Sequence, residues 1–386
     1  MDFSYDDEQQ ALRDAVKGLA GKAYSDYENR RRAVAEEPGF SEQVWGQLAE
    51  MGLLGLPFSE EDGGVGAGPV EVAIVCQELG RVLAPEPYLA SVVLAGGLVS
   101  AVGTPEQRAE VLGALSAGES VLAFAHDEPG RRWSAQAHDV TAAQDGDSWT
   151  LTGVKDGVTV GARADVLVVS AALPGGGTGL FLVAGDAAAS RESYRTPDWL
   201  RAARVTFEAT AATPLGTPGQ DVTASIATVQ DIARVMAANE ALGLMQTQLA
   251  LTTSYLKSRK QFGVTLNNFQ ALTFRAADLY TSVELTHSVV DWATMVLATG
   301  DTGALADAAA RVGLQVSRAG RHLGKESIQL HGGIGVTAEY SVGMYTARLT
   351  ALDHLLGDGS HYLGALSATV FDHEDLDPLA PAGAGA

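Results

Sequence analysis

The sequence predicts an α+β protein of three parts in series, helical, then β, then helical, and three observations carry that expectation. Apolar residues recur at helical spacing up to about residue 118. From about Ser120 the pattern changes to short β-branched and aromatic runs split by Gly, Asp and Pro turns. The helical period then returns from Val229 to Phe371, with few prolines to break it. The expected boundaries are 1–118 (helical), 119–225 (β), 226–372 (helical) and 373–386, an Ala-, Pro- and Gly-rich tail expected to be disordered.

Asp7 to Ala23 places Leu12, Val16, Leu19 and Ala20 along one helical face, and Ser41 to Met51 repeats the pattern. A turn-rich segment, Gly52 to Gly64, leads into an apolar helix from Val70 to Arg81. Strand candidates are Val121–Ala125, Ser148–Thr152, Val166–Ser170 and Leu180–Val183, with the β region closing near Gly219. There is no internal repeat.

With 386 residues, 46% of them hydrophobic, the chain can build two or three layers around a sizeable core. No run approaches the roughly 18 apolar residues of a membrane span. The acidic start, Met-Asp-Phe-Ser-Tyr-Asp-Asp-Glu, is the opposite of a signal or transit peptide, and the expected location is the cytoplasm. The single cysteine, Cys76, excludes intrachain disulfides and argues against a cysteine-based metal site. No cluster has metal-ligand spacing, and neither Gly-x-Ser-x-Gly nor a P-loop occurs. A net charge of −21 disfavours nucleic acid and anionic membrane as partners. An anionic ligand would depend on the few arginines near glycine-rich turns and on backbone N–H groups.

Two motifs have that composition: Arg259-Lys-Gln-Phe-Gly263 and Gln329-Leu-His-Gly-Gly-Ile-Gly335. Arg259 offers a planar, permanently charged fork suited to pyrophosphate. Phe262 offers an apolar face for a ring edge. Gly332 and Gly333 lack Cβ atoms, so backbone amides can approach phosphate oxygens, and Gln329 can both donate and accept. Either motif alone has a plain reading, a solvated arginine or a helix terminator.

In order and spacing, followed by Thr337-Ala-Glu-Tyr340 and preceded by Glu78-Leu-Gly-Arg81, the motifs make nearly the whole chain resemble the acyl-CoA dehydrogenase family. The resemblance implies an N-terminal helical domain, a middle β-barrel-like domain and a C-terminal four-helix bundle. It implies α,β-dehydrogenation of an acyl-CoA thioester with FAD, and electron-transfer flavoprotein or a similar acceptor. In that family each FAD lies in one subunit's cleft and is completed by a neighbour's Arg-x-x-Phe-Gly and Gln-x-x-Gly-Gly segments. The implied cofactor-binding residues are Arg259, Gln261, Phe262, Gln270, Gln329, Gly332 and Gly333, with Thr159 from the own-subunit side.

The chain departs from the family where a subunit holds its own flavin. In Phe124-Ala-His-Asp-Glu-Pro-Gly130 the family's threonine is Asp127, and small residues are replaced by Arg131, Arg132 and Trp133. In Lys155-Asp-Gly-Val-Thr-Val-Gly161 the flavin-packing tryptophan is Gly157. The catalytic glutamate is also missing. An ungapped count puts Leu356 at its place, and a two-residue slip puts Asp358 there, whose plain role is to cap the last helix. At the family's other location, before the arginine matching Arg234, stands Ala233; Glu240 lies about 10 Å further along that helix. No catalytic residue is therefore expected, with Asp358 as the reserve candidate. His331 is expected to pack, Arg30-Arg-Arg32 to form a solvated helix face, and Asp353-His354 and Asp372-His373 to be surface groups.

This combination resembles the partner subunits of actinobacterial heterotetrameric acyl-CoA dehydrogenases, several of which act on steroid side-chain CoA esters. The expectation is an α2β2 assembly in which this chain completes a catalytic sister's FAD site. Two alternatives stay open: a self-sufficient homotetramer using Asp358, and a non-catalytic acyl-CoA-binding scaffold.

Overall fold

The computed structural model describes residues 5–370. The expected tail and the Asp372-His373 pair lie outside the described residues. The N-terminal part holds α1 (Asp7–Tyr24), α2 (Tyr27–Ala35), α3 (Glu42–Glu50) and α4 (Pro69–Arg81). A π-helix, Tyr88–Gly96, runs into α5 (Gly97–Val102), and α6 (Pro105–Ser116) follows. Local chemistry sets these starts. Asp6 with Gln9, and Thr104 with Gln107, form capping boxes that satisfy the first free N–H groups of α1 and α6.

Seven strands follow: β1 (Leu122–Ala125), β2 (Thr141–Asp145), β3 (Ser148–Thr159), β4 (Val166–Ala172), β5 (Thr178–Ala184), β6 (Ser190–Arg195) and β7 (Arg201–Pro214). They run β1-β4-β2-β3-β7-β5, and β5 pairs with β4 as well, so five strands close on themselves into a barrel. Closure removes most of the sheet edges that would otherwise invite aggregation. The C-terminal part comprises α7 (Thr223–Ser258), the hairpin β8 (Lys260–Gln261) and β9 (Val264–Thr265), α8 (Gln270–Ala298), α9 (Thr302–His331), α10 (Val342–Leu355) and α11 (Gly359–Ala368). The α+β class and the helical, β, helical order are thus observed.

The helical parts are joined at α4 and α7 by mutual close approach. A Cβ on Gly80 would lie 2.3 Å from the Glu240 carbonyl oxygen, and one on Gly243 would lie 2.1 Å from that of Gln77. Glycine at both positions lets the two helix backbones touch. Gln77 Nε2 donates to Asn239 Oδ1 (2.8 Å), and Asn239 Nδ2 donates to Thr294 Oγ1 (2.9 Å), extending the contact to α8.

Two expectations are corrected. Arg30 does not belong to a solvated face: it is buried and donates to the carbonyl oxygens of Leu83 (2.8 Å) and Asp198 (2.9 Å), tying α2 to both neighbouring parts. Asp353 is buried rather than superficial, and accepts from Arg321 at 2.9 Å. The triple-arginine pattern concealed that one of its members points inward.

The β part is pinned by a buried ion pair. Lys155, 0% exposed, lies 2.9 Å from Glu128 Oε1 and also donates to His126 O (2.8 Å) and Ser170 Oγ (3.1 Å). The Glu128 carboxylate accepts backbone N–H groups of His138, Asp139 and Val140 at 2.9–3.0 Å. Burial works to raise its pKa, but the N–H groups of Val140 and Asp139, with the Lys155 ammonium, overcome this and hold it at about 2. Because the folded value lies below the ordinary 4.5, the stabilisation is complete above that pH and is lost as pH falls toward about 2. Glu128→Gln is expected to cost about 3–5 kcal/mol at neutral pH by leaving Lys155 buried and unpaired. Urea unfolding as a function of pH checks this: the variant should lose more stability at pH 7 than at pH 2.5.

Candidate active-site cleft and cofactor surface

A cavity of about 560 Å³ lies where the three parts meet. Its walls come from the α2–α3 connection (Phe40), the end of α4 and the start of the π-helix (Leu79 to Ala90), the 127–132 loop, the end of β3, and Glu240 and Arg348 on α7 and α10. A smaller cavity of about 50 Å³ adjoins it, and Leu89, Ala90, Asp127, Gly157, Thr159 and Leu355 border both.

The smaller cavity collects the residues at which the sequence departs from the family. Ala233 and Leu356, the two positions matched to the family's base, both line it. They come from α7 and the α10–α11 turn, so the fold brings the two alternative locations to one place, and neither side chain can take a proton. Asp358 borders neither cavity among the described residues. Its Oδ1 accepts the N–H groups of Ser360 (2.9 Å) and His361 (2.8 Å), capping α11, and those bonds lower its pKa. Glu240 reaches the larger cavity, but Arg348 holds it: Nε lies 2.7 Å from Glu240 Oε1, and Nη1 lies 2.9 Å from Asp198 Oδ2.

Trp133 occupies the smaller cavity's wall. Its Nε1 donates to the His354 carbonyl oxygen (3.2 Å), and its ring packs on His361 at 5.3 Å, so the 127–140 loop is strapped to α10 and α11. Its backbone is left-handed (φ 60°), a conformation that costs a bulky residue about 1–3 kcal/mol and persists only when surroundings impose it. Gly157 is left-handed too (φ 72°), within the β3 irregularity between Lys155 and Val158, so a tryptophan there would be strained. Burial pushes the Asp127 carboxyl up to about 6, with Lys155 and Arg132 opposing. At neutral pH it is mainly an acceptor, unlike the threonine hydroxyl it replaces. Thr159 alone of the expected cofactor residues faces this cleft.

The other seven gather at one end of the helical bundle. Tyr255, one turn before the end of α7, stacks on His331 at 4.6 Å, and His331 packs on Tyr340 at 5.0 Å. This aromatic cluster draws the Arg259 and Gln329 motifs together. His331 is buried, accordingly, with Nδ1 at 2.7 Å from Ser327 O. Arg259, Gln261, Phe262, Gln270, Gln329, Gly332 and Gly333 are all exposed there. Phe262, 92% exposed, sits with Gly263 at the tip of the β8–β9 hairpin, both with positive φ, as in a type I′ turn. An aromatic side chain at that tip is both strained and bare. Val264, Phe274, Ile334 and Val336 in the same segments are exposed as well. A Cβ on Gly332 or Gly333 would meet nothing within 4 Å, so their amides lie open to a ligand.

The Arg259 guanidinium has no hydrogen-bond or ion-pair partner among the described residues. No Asp or Glu occurs between Glu240 and Asp278, whereas Lys257, Arg259, Lys260 and Arg275 do. In so acidic a chain this gap is a signal that the motif reading alone did not use.

An FAD fits these two places unequally. The bundle end offers an unpaired guanidinium, open glycine amides and an apolar ring. The cleft offers a strapped tryptophan and a carboxylate. Ala233 and Arg259 are 26 residues apart on α7, roughly 40 Å along its axis. One flavin cannot touch both within a single chain.

A model described as acyl-CoA dehydrogenase, N-terminal domain, matches residues 6–119, and one described as acyl-CoA dehydrogenase, C-terminal domain, matches 224–359. The acyl-CoA dehydrogenase IpdE2 of Mycobacterium tuberculosis is 31% identical over 95% of this chain and 98% of its own length. FadE27 of the same organism is 30% identical over 94% and 97%. Among solved structures, a variant of the Tcur3481-Tcur3483 steroid ACAD superposes with a TM-score of 0.85 at 32% identity, covering 95% of this chain and 98% of that one. The ChsE4-ChsE5 complex from M. tuberculosis gives 0.86 at 26%, covering 97% and 100%.

The chain belongs to the acyl-CoA dehydrogenase family. Its enzymes are FAD-dependent oxidoreductases. Among the described residues, no helix is long and apolar enough to cross a membrane.

Arg348→Met is expected to destabilise the fold by about 3–5 kcal/mol, because it leaves Asp198 and Glu240 without their shared cation. Thermal denaturation at pH 7 reads the loss, and lowering the pH should narrow the gap to wild type as the carboxylates protonate.

Proposed function

We propose that this chain is a subunit of an FAD-dependent acyl-CoA dehydrogenase and completes the FAD site of a catalytic sister subunit. The observation that carries the reading is the separation of parts. The neighbour-completing residues are intact and exposed at the bundle end. The chain's own cleft has Leu356 and Ala233 at the base positions and Trp133 against the flavin wall. The heteromeric naming of two similar structures supports an assembly of the α2β2 kind, and the steroid title of one supports a steroid side-chain CoA ester as the substrate class.

FAD bound in the sister's cleft supplies the hydride acceptor. This chain's part is positional. Arg259 offsets pyrophosphate charge, the amides of Gly332 and Gly333 donate to phosphate oxygens, and Gln329 and Gln270 supply side-chain amides. Phe262 covers an apolar ring edge, with Gln261 beside it on the hairpin. The base that removes the α-proton belongs to the sister, and electrons pass on to electron-transfer flavoprotein or a similar acceptor.

One observation favours a second reading. Asp127 lines both cavities with a raised pKa and no hydrogen-bond partner for its carboxylate among the described residues, the marks of a general base. Under this reading the chain is self-sufficient, and Asp127, rather than Asp358, takes the proton.

Absorbance spectra of the chain alone and co-expressed with a same-family neighbour separate the two. We expect flavin bands and acyl-CoA-dependent bleaching only in the co-expressed complex. Arg259→Ala should lower its FAD affinity about tenfold or more, the loss of a charge-assisted contact. Stoichiometric flavin that bleaches in the chain alone, and stops doing so in Asp127→Asn, would establish the second reading instead.

A further inference from the structure

The larger cavity has a polar inner wall that the reading above does not use. Glu86 and Tyr88, in the segment entering the π-helix, are 6% and 2% exposed, and both line the cavity. Glu86 Oε1 is engaged: the Tyr24 hydroxyl donates to it, and the Ser41 N–H lies at 3.3 Å. Glu86 Oε2 and the Tyr88 hydroxyl are buried with no hydrogen-bond partner among the described residues. Leaving such groups unpaired costs about 1–3 kcal/mol each, so their presence on the wall of a ligand-sized cavity calls for a partner. The surface around them is apolar, formed by Phe40, Cys76, Leu79, Ala84, Pro85 and Leu89. The exposed residues of the cavity's lining, Pro129 to Arg132 and Gly157, mark the opposite side as its mouth.

The wall is also built on an unusual backbone. The π-helix from Tyr88 to Gly96 is nine residues long, whereas π geometry is normally confined to single turns and recurs at functional sites. Ser91 Oγ anchors it by donating to Leu122 O in β1. Tyr88 and Leu89 face the larger cavity from its first turn, and Leu89, Ala90 and Leu94 face the smaller one.

We propose that this cavity is a binding site for an apolar acyl group carrying a hydroxyl or ketone oxygen remote from its thioester, with Glu86 and Tyr88 reading that oxygen. A hydroxyl donates to Glu86 Oε2 and accepts from the Tyr88 hydroxyl. A ketone accepts from Tyr88 and, once Glu86 is protonated, from Glu86 too. The acyl-CoA part rests on family membership. Under the partner-subunit reading this site binds without turnover, because no base faces it.

The test is calorimetric titration of the full chain, in the assembly in which it purifies, with cyclohexanecarboxyl-CoA and its 4-hydroxy and 4-oxo analogues. Glu86→Gln and Tyr88→Phe are titrated alongside. Wild type is expected to bind at least one oxygenated analogue about tenfold more tightly than the parent. Each variant should reduce that preference to about twofold or less while leaving affinity for the parent thioester within about twofold. Equal binding of all three by wild type, no binding of any, or a preference kept in both variants overturns the proposal. If Glu86→Gln fails to fold, Tyr88→Phe, which removes a single oxygen, decides alone. Flavin content plays no part in this readout, so its outcome is independent of whether the chain completes a sister's FAD site.

Discussion

The architecture of the cleft depends on one buried ion pair. Lys155 is carried by β3, and Glu128 opens the loop that runs to β2; joining them fixes every residue between 126 and 140 relative to the barrel. Glu128 could not hold three backbone N–H groups as a neutral acid as well as it does as an anion, and Lys155 could not be fully buried without it. The same lysine reaches the groups around it. Burial, with Lys155 next in importance, pushes His126 down to about 4, so its ring is neutral at physiological pH and bonds Ser170 and the Ser134 carbonyl without adding a second buried cation. The loop so held then places Asp127 and Trp133 on the cleft wall.

The electrostatics of the chain divide in a matching way. Most arginines inside the fold are committed to carboxylates or carbonyls: Arg348 to Glu240 and Asp198, Arg30 to two backbone oxygens, Arg108 to Asp62. Arg259 is not. In a molecule of net charge −21, a bare guanidinium flanked by lysines and free of nearby carboxylates in sequence is a local inversion of the overall field. Such an inversion has a physical use only toward an anion that the protein as a whole would repel.

How much of this was legible in the sequence follows from how local each signal is. Helices α1, α3 and α4 and strands β1, β3, β4 and β5 appear where apolar period and turn residues place them, because those signals act within a few residues. Strand β7, rich in alanine and threonine, and the exposed β6 were not identified, since a barrel strand of small residues has neither alternation nor bulk to mark it. The aromatic contact that draws the two glycine and arginine motifs together, Tyr255 on His331, joins residues far apart in sequence. The inward turn of Arg30, the burial of Asp353 and the unpaired oxygens of Glu86 and Tyr88 were hidden for the same reason. Each is decided by what packs above the side chain, and no local pattern encodes it.

The length of α7 turns these observations into a constraint on assembly. Ala233 faces the cleft near its beginning, and Arg259 caps its end. A rigid helix between them keeps the acyl cavity and the cofactor surface apart at a separation no single ligand ring can bridge. A subunit of this shape can therefore complete a flavin site only in another molecule, whatever its own cleft contains. Once that is so, the two ends are free to diverge independently. Changes at the cleft, such as Trp133, Asp127 and Leu356, leave the hairpin and the glycine turn untouched, because the helix transmits position and not chemistry. The exposed, strained Phe262 is the residue least explicable by the chain's own stability, and it stands at the end that faces outward.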